Sequence, residues 1–273
     1  MQWVSRISAA VAALLIVLQA GDAARADTTV DLELVLAVDV SLSMDLEEQR
    51  LQRDGYIEAL RDPQVISAIQ SGPHGRIAIT YVEWAGPYSQ TTVLPWTIID
   101  GKESAERVAE QLAQAPISRR RMTSISSALD YAGRQFELSP HRGIRRVIDI
   151  SGDGPNNSGG PVTPVRDELV KRGIIINGLP VILRPSQSSW FDISYLDRYY
   201  AECVIGGPGA FMIPIRDKSE FATATRQKLI LEISGAEPPP QLILAQYPSE
   251  DEKVDCLIGE TLWRRYMDGP FRN

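Results

Sequence analysis

The stretch LELVLAVDVSLSM, residues 32–44, decides the fold. Its first part, Leu32–Val38, is a nearly continuous apolar run, which is typical of a strand buried on both faces in a parallel sheet. The run ends at Asp39, and a short polar loop leads to Asp45, where a pattern of charged and apolar residues predicts a helix. A buried strand, a polar loop and an amphipathic helix in this order indicate an α/β protein.

The same alternation continues outward from this stretch to residue 233. Apolar runs predict further strands at 76–84, 90–99, 145–151, 174–183 and 210–215, and helical patterns occur at 45–60, 102–114, 124–136, 161–172 and 218–233. Pro95 suits an edge strand, because proline cannot donate to a sheet ladder. Asp149 stands inside the apolar run at 145–151, where a buried carboxylate needs a partner, and Arg145 and Arg146 are the candidates near it in sequence. The pattern predicts an α/β fold: a doubly wound, mainly parallel, Rossmann-like sheet with helices on both faces.

The two ends of the chain differ from this domain. Arg6 precedes the apolar run Ile7–Leu18, and an A-x-A site ends at Ala26, which together predict a signal peptide over residues 1–26. The alternative is an uncleaved N-terminal anchor. Three consecutive prolines at 238–240 start a tail, so we expect one domain over residues 27–235 and a C-terminal extension over 236–273 that packs on it. Within the tail, the pattern indicates a strand at 241–246 and a short helix at 255–266. We expect a periplasmic or secreted protein without a membrane span after cleavage.

Cys203 and Cys256 are the only cysteines, 53 residues apart. Because export leads to an oxidising compartment, we expect a disulfide that fastens the tail to the domain. Two buried free thiols are the alternative. A catalytic cysteine is disfavoured, since neither histidine is near in sequence.

Composition excludes several functions. The chain carries 28 Lys+Arg against 35 Asp+Glu, and cleavage of the signal peptide would take the formal charge from −7 to −8. This balance argues against non-specific nucleic-acid binding, which needs clustered positive charge. With only two histidines, one chain cannot build a multi-histidine metal centre.

Three loops at the carboxyl ends of predicted strands or at a helix start carry the chemistry. They are residues 39–44 (DVSLSM), 122–124 (MTS) and 151–154 (SGDG). Ligand sites in open α/β sheets form at this edge. The loops offer two carboxylates and several hydroxyls, which are the hard oxygen ligands that Mg²⁺ and Ca²⁺ prefer.

DVSLSM matches the D-x-S-x-S motif of von Willebrand factor type A (VWA) domains, which carry a metal-ion-dependent adhesion site (MIDAS). Thr123 stands five residues before Ala128-Leu129, as the family's second-loop threonine does, and Asp153-Gly154 matches its third loop. Residues 31–233 therefore resemble a VWA domain. The segments SGDGPNNSGGPV, NGLPVI and YYAECVIGGPGAFM are similar to an uncharacterised group of exported bacterial VWA-like proteins (DUF1194-like), a likeness that extends into the tail.

The resemblance implies a metal site made of five residues. Ser41, Ser43 and Thr123 would bind the cation through hydroxyls, and Asp39 and Asp153 partly through water. The implied ion is Mg²⁺, with Mn²⁺ or Ca²⁺ as alternatives. A cation with few direct carboxylate ligands keeps uncompensated charge, so the resemblance implies a protein partner that binds through an acidic residue.

Two departures bear on the second loop. The family often has Gly-Gly before the threonine, where this chain has Arg120, Arg121 and Met122, and it usually has a second threonine where Ile125 stands. Ser124 is therefore an alternative ligand to Thr123. For the Ser and Asp residues of all three loops, the alternative role is helix capping and loop hydrogen bonding.

Other residues near the loops are candidates for partner contact. They are Arg120 and Arg121, which would steer an acidic partner, and Asn156 and Asn157 in the third loop. A solvated charged loop and a plain turn are the respective alternatives. Phe191 with its neighbour Trp190 is either an exposed contact patch or buried under the tail.

We expect a binding module and not an enzyme, with a Mg²⁺-dependent phosphate-ester hydrolase as the alternative. The Asp39 loop resembles the nucleophile loop of haloacid-dehalogenase-like phosphatases, but Ser41 stands where they have a second, proton-transferring aspartate. A serine hydrolase would need a G-x-S-x-G turn, and Ser158 follows Asn156-Asn157 instead.

Overall fold

The structure, a computed structural model, describes residues 28–183, 191–236 and 253–269. Within these ranges it contains one five-stranded sheet. The strands are Thr28–Asp39 (β1), Ile77–Trp84 (β2), Gln90–Ile99 (β3), His141–Gly152 (β4) and Ile174–Pro180 (β5). Their order is β3-β2-β1-β4-β5, with every pair parallel except β2 with β3. The predicted mainly parallel sheet is confirmed, and Pro95 lies on its antiparallel edge strand.

The described ranges contain eight α-helices. They are Leu46–Arg61 (α1), Pro63–Gln70 (α2), Lys102–Gln114 (α3), Ile125–Leu138 (α4), Val162–Lys171 (α5), Leu196–Tyr199 (α6), Phe221–Ser234 (α7) and Ile258–Asp268 (α8). A π-helical turn, Tyr200–Val204, continues α6, and a 3₁₀ turn, Lys218–Glu220, precedes α7. The sequence did not predict α2 or the turns around residue 200. The predicted helix at 255–266 is α8.

The strand predicted at 210–215 forms only isolated bridges, at Met212 and Ile215. The segment runs beside the end of β5 and the residues that follow it, and it pairs with them at only a few positions. The strand predicted at 241–246 and the signal peptide lie outside the described residues.

Strand β1 is buried on both faces, as its apolar run predicts. Leu34 and Leu36 pack into a cluster with α1, α2, α3 and α7, whereas Val35 and Ala37 pack into a second cluster with α4, α5 and α6. The helices therefore cover both faces of the sheet, which confirms the doubly wound α/β architecture.

Asp149, in the interior of β4, is paired differently from the expectation that Arg145 or Arg146 would neutralise it. Its partner is Lys228 of α7, whose Nζ lies 2.7 Å from Asp149 Oδ1, and Lys228 also pairs with Glu232 one turn along the helix. The two arginines instead donate to backbone carbonyls at the ends of α7 and α5. The buried charge of Asp149 in the sheet is thus compensated by a lysine of the helix layer that packs on it.

The tail is fastened to the domain. Cys203 and Cys256 form the predicted disulfide, with their Cα atoms 5.6 Å apart. The amide of Val254 donates to Glu202 Oε2 at 2.9 Å, next to the bridge. Among the described residues, none of the helices has the length and apolar character needed to cross a membrane.

Candidate metal centre

The register of two neighbouring strands brings the first and third loops together. Val38 of β1 pairs with Ser151 of β4, so Asp39 lies beside Gly152 at the carboxyl edge of the sheet. Asp39 is completely buried, and its Oδ1 accepts a hydrogen bond of 2.7 Å from the amide of Ser41. This turn aims the loop backbone at the third loop.

A chain of hydroxyls connects the two loops. Ser41 Oγ lies 2.7 Å from Ser43 Oγ, which donates to Asp153 Oδ1 at 2.6 Å. The structure therefore brings four of the five predicted ligands, Asp39, Ser41, Ser43 and Asp153, into one connected group. All of their side-chain donor atoms are oxygens.

Helix α1 holds the first loop in place. Gln49 and Gln52, both buried, donate from Nε2 to the carbonyls of Ser41 and Asp39, each at 3.2 Å. Asp45 caps the helix by accepting from the amide of Glu48 at 2.8 Å. These two glutamines were not selected from the sequence. Their spacing of three residues places them on one helix face, which could have indicated a shared contact with the loop before the helix.

The second loop reaches the same site through the third. The amide of Thr123 donates to Asn157 Oδ1 at 2.9 Å, and the amide of Asn157 donates to the Thr123 carbonyl at 2.9 Å. Thr123 lines an open groove together with Ser41, Ser43 and Asp153. Ser124 is instead the N-cap of α4 and bonds to Ser127, so the structure favours Thr123 over Ser124 as the groove hydroxyl.

Met122 adopts a left-handed backbone conformation, with φ of 69°, and is the only non-glycine residue with positive φ in the described ranges. This conformation costs an L-residue about 1–2 kcal/mol relative to the right-handed region. Its position is one where the resembled family often has glycine. The methionine that stands here in place of the family's glycine therefore lies in a strained turn directly before Thr123.

The Asp39 carboxyl is desolvated and incompletely satisfied. Burial raises its pKa well above the usual range, and the nearby charge of Asp153 raises it further, against hydrogen bonds from Ser41 and from the backbone of Asp153. Its Oδ2 is buried and accepts no hydrogen bond from the described residues. The hydroxyl of Tyr200 is in the same situation, and burial followed by the charge of Asp39 raises the pKa of Tyr200 as well.

Gly152 lies next to Asp39 Oδ2 and the Tyr200 hydroxyl, and its lack of a side chain leaves space for both. A Cβ at position 152 would fall 2.9 Å from both Asp39 Oδ2 and the Tyr200 hydroxyl. Neither Gly152 nor Tyr200 was selected from the sequence. The glycine within SGDG was a signal for close approach, whereas nothing local indicates Tyr200.

The donor set fits a hard divalent cation. An unsatisfied buried carboxylate oxygen beside linked hydroxyls and a second carboxylate is the chemistry that Mg²⁺ or Ca²⁺ completes. Across the described residues there is no group of three or more His, Cys, Asp or Glu side chains placed to hold a metal. A site here would therefore depend on hydroxyls for much of its coordination.

The predicted partner-contact residues divide into two pairs. Arg121 lines the groove, and Arg120 is exposed beside Ser41, to which its backbone is bridged. Asn156 and Asn157 are buried instead. Asn156 has no exposed surface, and its side chain hydrogen bonds to Ser126, Gly160 and Glu260. The expectation of partner contact is corrected for Asn156, which positions the loop, whereas Asn157 links the loops and borders the groove.

The geometry agrees with comparisons to known proteins. Residues 29–237 match the family described as protein of unknown function (DUF1194). The chain belongs to this family. The DUF1194 chain has the fold of VWA domains, since it is similar to a von Willebrand factor type A structure from Catenulispora acidiphila at 14% identity, with a TM-score of 0.51, 75% of this chain covered and 43% of the other.

Two further solved structures share the fold. Proximal thread matrix protein 1 from the mussel byssus, with a zinc-occupied MIDAS motif, is 14% identical with a TM-score of 0.57, covering 76% of this chain and 49% of that one. The pilus adhesin SpaC from Lactobacillus rhamnosus GG is 10% identical with a TM-score of 0.56, covering 76% and 31%. The DUF1194 chain thus spans about half the length of the mussel proteins. No curated protein matches it.

Proposed function

We propose that the DUF1194 chain binds a divalent cation, Mg²⁺ by its donor chemistry, at Asp39, Ser41, Ser43, Thr123 and Asp153. The observation that carries the proposal is the buried Asp39 Oδ2, which accepts no hydrogen bond from the described residues, on a carboxylate whose other oxygen is linked through Ser41 to the hydroxyl chain that ends at Asp153. The zinc-occupied MIDAS motif of the mussel protein supports a cation at this place in the fold. Mn²⁺ and Ca²⁺ prefer oxygen ligands as well.

We further propose that the bound cation holds an acidic group of a protein partner. Only two carboxylates belong to the proposed set, and one of them is hydrogen bonded to Ser43. Much of the charge of a divalent cation would remain uncompensated, and the groove beside it is open to solvent. An incoming carboxylate would complete both the coordination and the charge balance. The proposal is a binding module, exported to the periplasm or secreted, as the disulfide supports.

Cation binding is tested by thermal unfolding and calorimetric titration with Mg²⁺. A ligand at about 100 times its Kd stabilises the folded state by about 2.7 kcal/mol. We expect this stabilisation in the wild type and its loss in Asp39→Asn, which keeps the volume of the side chain. Asp130→Asn is the matched control, because Asp130 is an exposed aspartate of α4, and its response to Mg²⁺ should equal that of the wild type.

Partner binding is tested by capture from an exported-protein extract with Mg²⁺ and with chelator. We expect partners that depend on both the cation and Asp39. A set unchanged by chelator and by Asp39→Ala contradicts the proposal. If Ser41→Ala with Ser43→Ala lowers stability but leaves capture intact, the cation is purely structural. Mg²⁺-dependent turnover of a phosphate ester, abolished by Asp39→Asn, would establish the hydrolase instead.

A further inference from the structure

We propose that α8 forms one wall of the partner-binding groove, so that the partner presents an aromatic or large aliphatic side chain next to its acidic residue. This inference rests on the proposed metal site and specifies its partner. The wall consists of Trp263 and Tyr266 of α8 together with Phe191. Trp263 and Tyr266 belong to the segment after the VWA-like domain, which is fastened by the Cys203–Cys256 disulfide, whereas Phe191 belongs to the domain itself.

The three aromatic rings form one cluster. Phe191 lies 5.4 Å from both Trp263 and Tyr266, and these two are 5.9 Å apart, as centroid distances. Trp263 and Tyr266 lie three residues apart and so share a face of α8. Tyr266 is 55% exposed, and Phe191 and Trp263 are partly exposed. Aromatic side chains in this setting offer apolar area at low entropic cost.

The same groove carries the metal-site oxygens. Its volume is about 690 Å³, and Ser41, Ser43, Thr123 and Asp153 line it together with the aromatic cluster. Leu42 and Met122, which are 45% and 39% exposed, extend the apolar lining next to the oxygens. A lone carboxylate would cover only the polar part. A carboxylate beside an apolar side chain covers both parts.

Charge favours the same occupant. Arg121 lines the groove together with two carboxylates, Asp153 and Asp192, so the positive charge that attracts a partner would come from a bound cation. An acidic side chain is complementary to the groove at that cation and at Arg121, although the whole chain is acidic, with a formal charge of −7. Acidic character alone would not explain three clustered aromatic rings. We therefore infer a mixed acidic and apolar segment.

The position of the wall is tied to the metal site. Asn156 Nδ2 donates to Glu260 Oε1 of α8 at 2.7 Å, three residues along the chain from Asp153. A Cβ at Gly259 would fall 2.0 Å from the Asn156 carbonyl oxygen, so only glycine allows α8 to dock this closely. The contact sets α8 against the loop that supplies a proposed ligand.

The test selects random heptapeptides displayed on phage against the disulfide-bonded chain in Mg²⁺, with elution by chelator. We expect enrichment of peptides that hold an Asp or Glu near an aromatic or large aliphatic residue. The enriched peptide is then titrated by fluorescence anisotropy against the wild type, Trp263→Ala with Tyr266→Ala, and Met267→Ala. Met267 is the matched control, because it is an exposed apolar residue of α8 that does not line the groove.

Changing the peptide's apolar residue to Ala should weaken binding to the wild type and to Met267→Ala by about tenfold. The same change should have almost no effect on the Trp263 and Tyr266 variant, because the wall is already gone. Gly259→Leu keeps the aromatic residues but displaces α8, and should reproduce that loss. This second variant separates the position of the wall from the folding of the double variant.

The outcomes separate the inference from the proposed function. Chelator-eluted peptides with an acidic residue but no apolar preference, or with a preference that the double variant retains, overturn the role of α8 and leave the metal site standing. Eluted peptides without an acidic residue, or a bound pool that chelator does not release, overturn the proposed function and this inference with it.

Discussion

The buried cluster of Asp149, Lys228 and Glu232 predicts that the protein loses stability as the pH rises. All three side chains are almost fully buried, and Asn177 donates to Glu232 Oε1 at 2.9 Å. Burial, together with the charge of Asp149, raises the pKa of Glu232 to about 7, although Lys228 acts in the opposite direction. The perturbation is a change from pH 5 to pH 8, applied to the wild type and to Glu232→Gln.

The sign follows from the pKa values of Glu232 in the two states. Unfolded, the group titrates near 4.5, and folded near 7, so the folded state binds more protons between these values. The stability that this group contributes is complete below pH 4.5 and is lost as the pH rises through 7. At about 1.36 kcal/mol for each pKa unit, the loss amounts to about 3 kcal/mol.

The surroundings of Glu232 set the choice of variant. Besides Asp149 and Lys228, the charged or titratable groups that face it are Tyr56, whose hydroxyl donates to Asp149 at 3.2 Å, and Arg145, which donates to the Glu232 carbonyl at 2.8 Å. Gln at position 232 still accepts from Lys228 and Asn177 and resembles the protonated carboxyl. It therefore removes the titration without removing the contacts.

The assay is urea unfolding at pH 5 and pH 8, in chelator so that cation binding does not contribute. The wild type should lose about 2.5 kcal/mol more than Glu232→Gln over this range, because part of the effect is already lost below pH 5. Other groups titrate in both proteins, so their contributions cancel in the difference. An equal pH dependence in the two proteins would refute the raised pKa of Glu232 as the cause of the loss.

Four shorter predictions address the site and its supports. Gly152→Ala should abolish Mg²⁺-induced thermal stabilisation, because its Cβ would fall 2.9 Å from Asp39 Oδ2; normal Mg²⁺ stabilisation would contradict the proposed ligand position. Met122→Gly should raise the free energy of unfolding by up to about 1 kcal/mol, since glycine relieves the left-handed strain, and urea unfolding at pH 7 measures this. Lys228→Met should cost about 3–5 kcal/mol in the same assay, because it leaves buried carboxylates without a cation; a neutral effect would mean that they are protonated. Replacing Cys203 and its partner by Ser should cost about 2–4 kcal/mol, and hydrogen exchange should show faster opening of α8 than of the sheet.

The sequence predicts what local pattern controls. The apolar run before Asp39 indicates a strand with both faces covered, and parallel strands place the loops after β1 and β4 at one edge. This placement alone predicts that the two serines of DVSLSM lie close to Asp153, as the hydrogen bond from Ser43 shows. The position of Thr123 at the groove cannot be predicted in this way. It depends on mutual hydrogen bonds with Asn157, and no spacing rule connects the two residues.

Contacts between distant elements are what the pattern conceals. Lys228 and Glu232 belong to α7, where a charged residue is ordinarily assigned to the solvent face, yet both are buried against β4 and β5. The solitary Asp149 in β4 was the local sign that a cation had to come from somewhere, and the nearest arginines in sequence were the wrong candidates. A buried charge in the sequence predicts that its partner has the opposite charge. It does not predict which helix carries the partner, because the packing of the layers determines that.

The tail shows the same limit at the functional site. Two cysteines were enough to predict that the extension is fastened to the domain, but the bridge alone fixes neither the rotation of α8 nor the loop it touches. Those are set by Gly259 against the Asn156 carbonyl and by Glu260 beside it. Because Asn156 is itself three residues from Asp153, the contact that orients the aromatic wall also braces a proposed ligand loop. Displacing α8 should therefore alter Mg²⁺ affinity as well as peptide preference, and equal Mg²⁺ affinity in Gly259→Leu and the wild type would show that the wall and the metal site are independent.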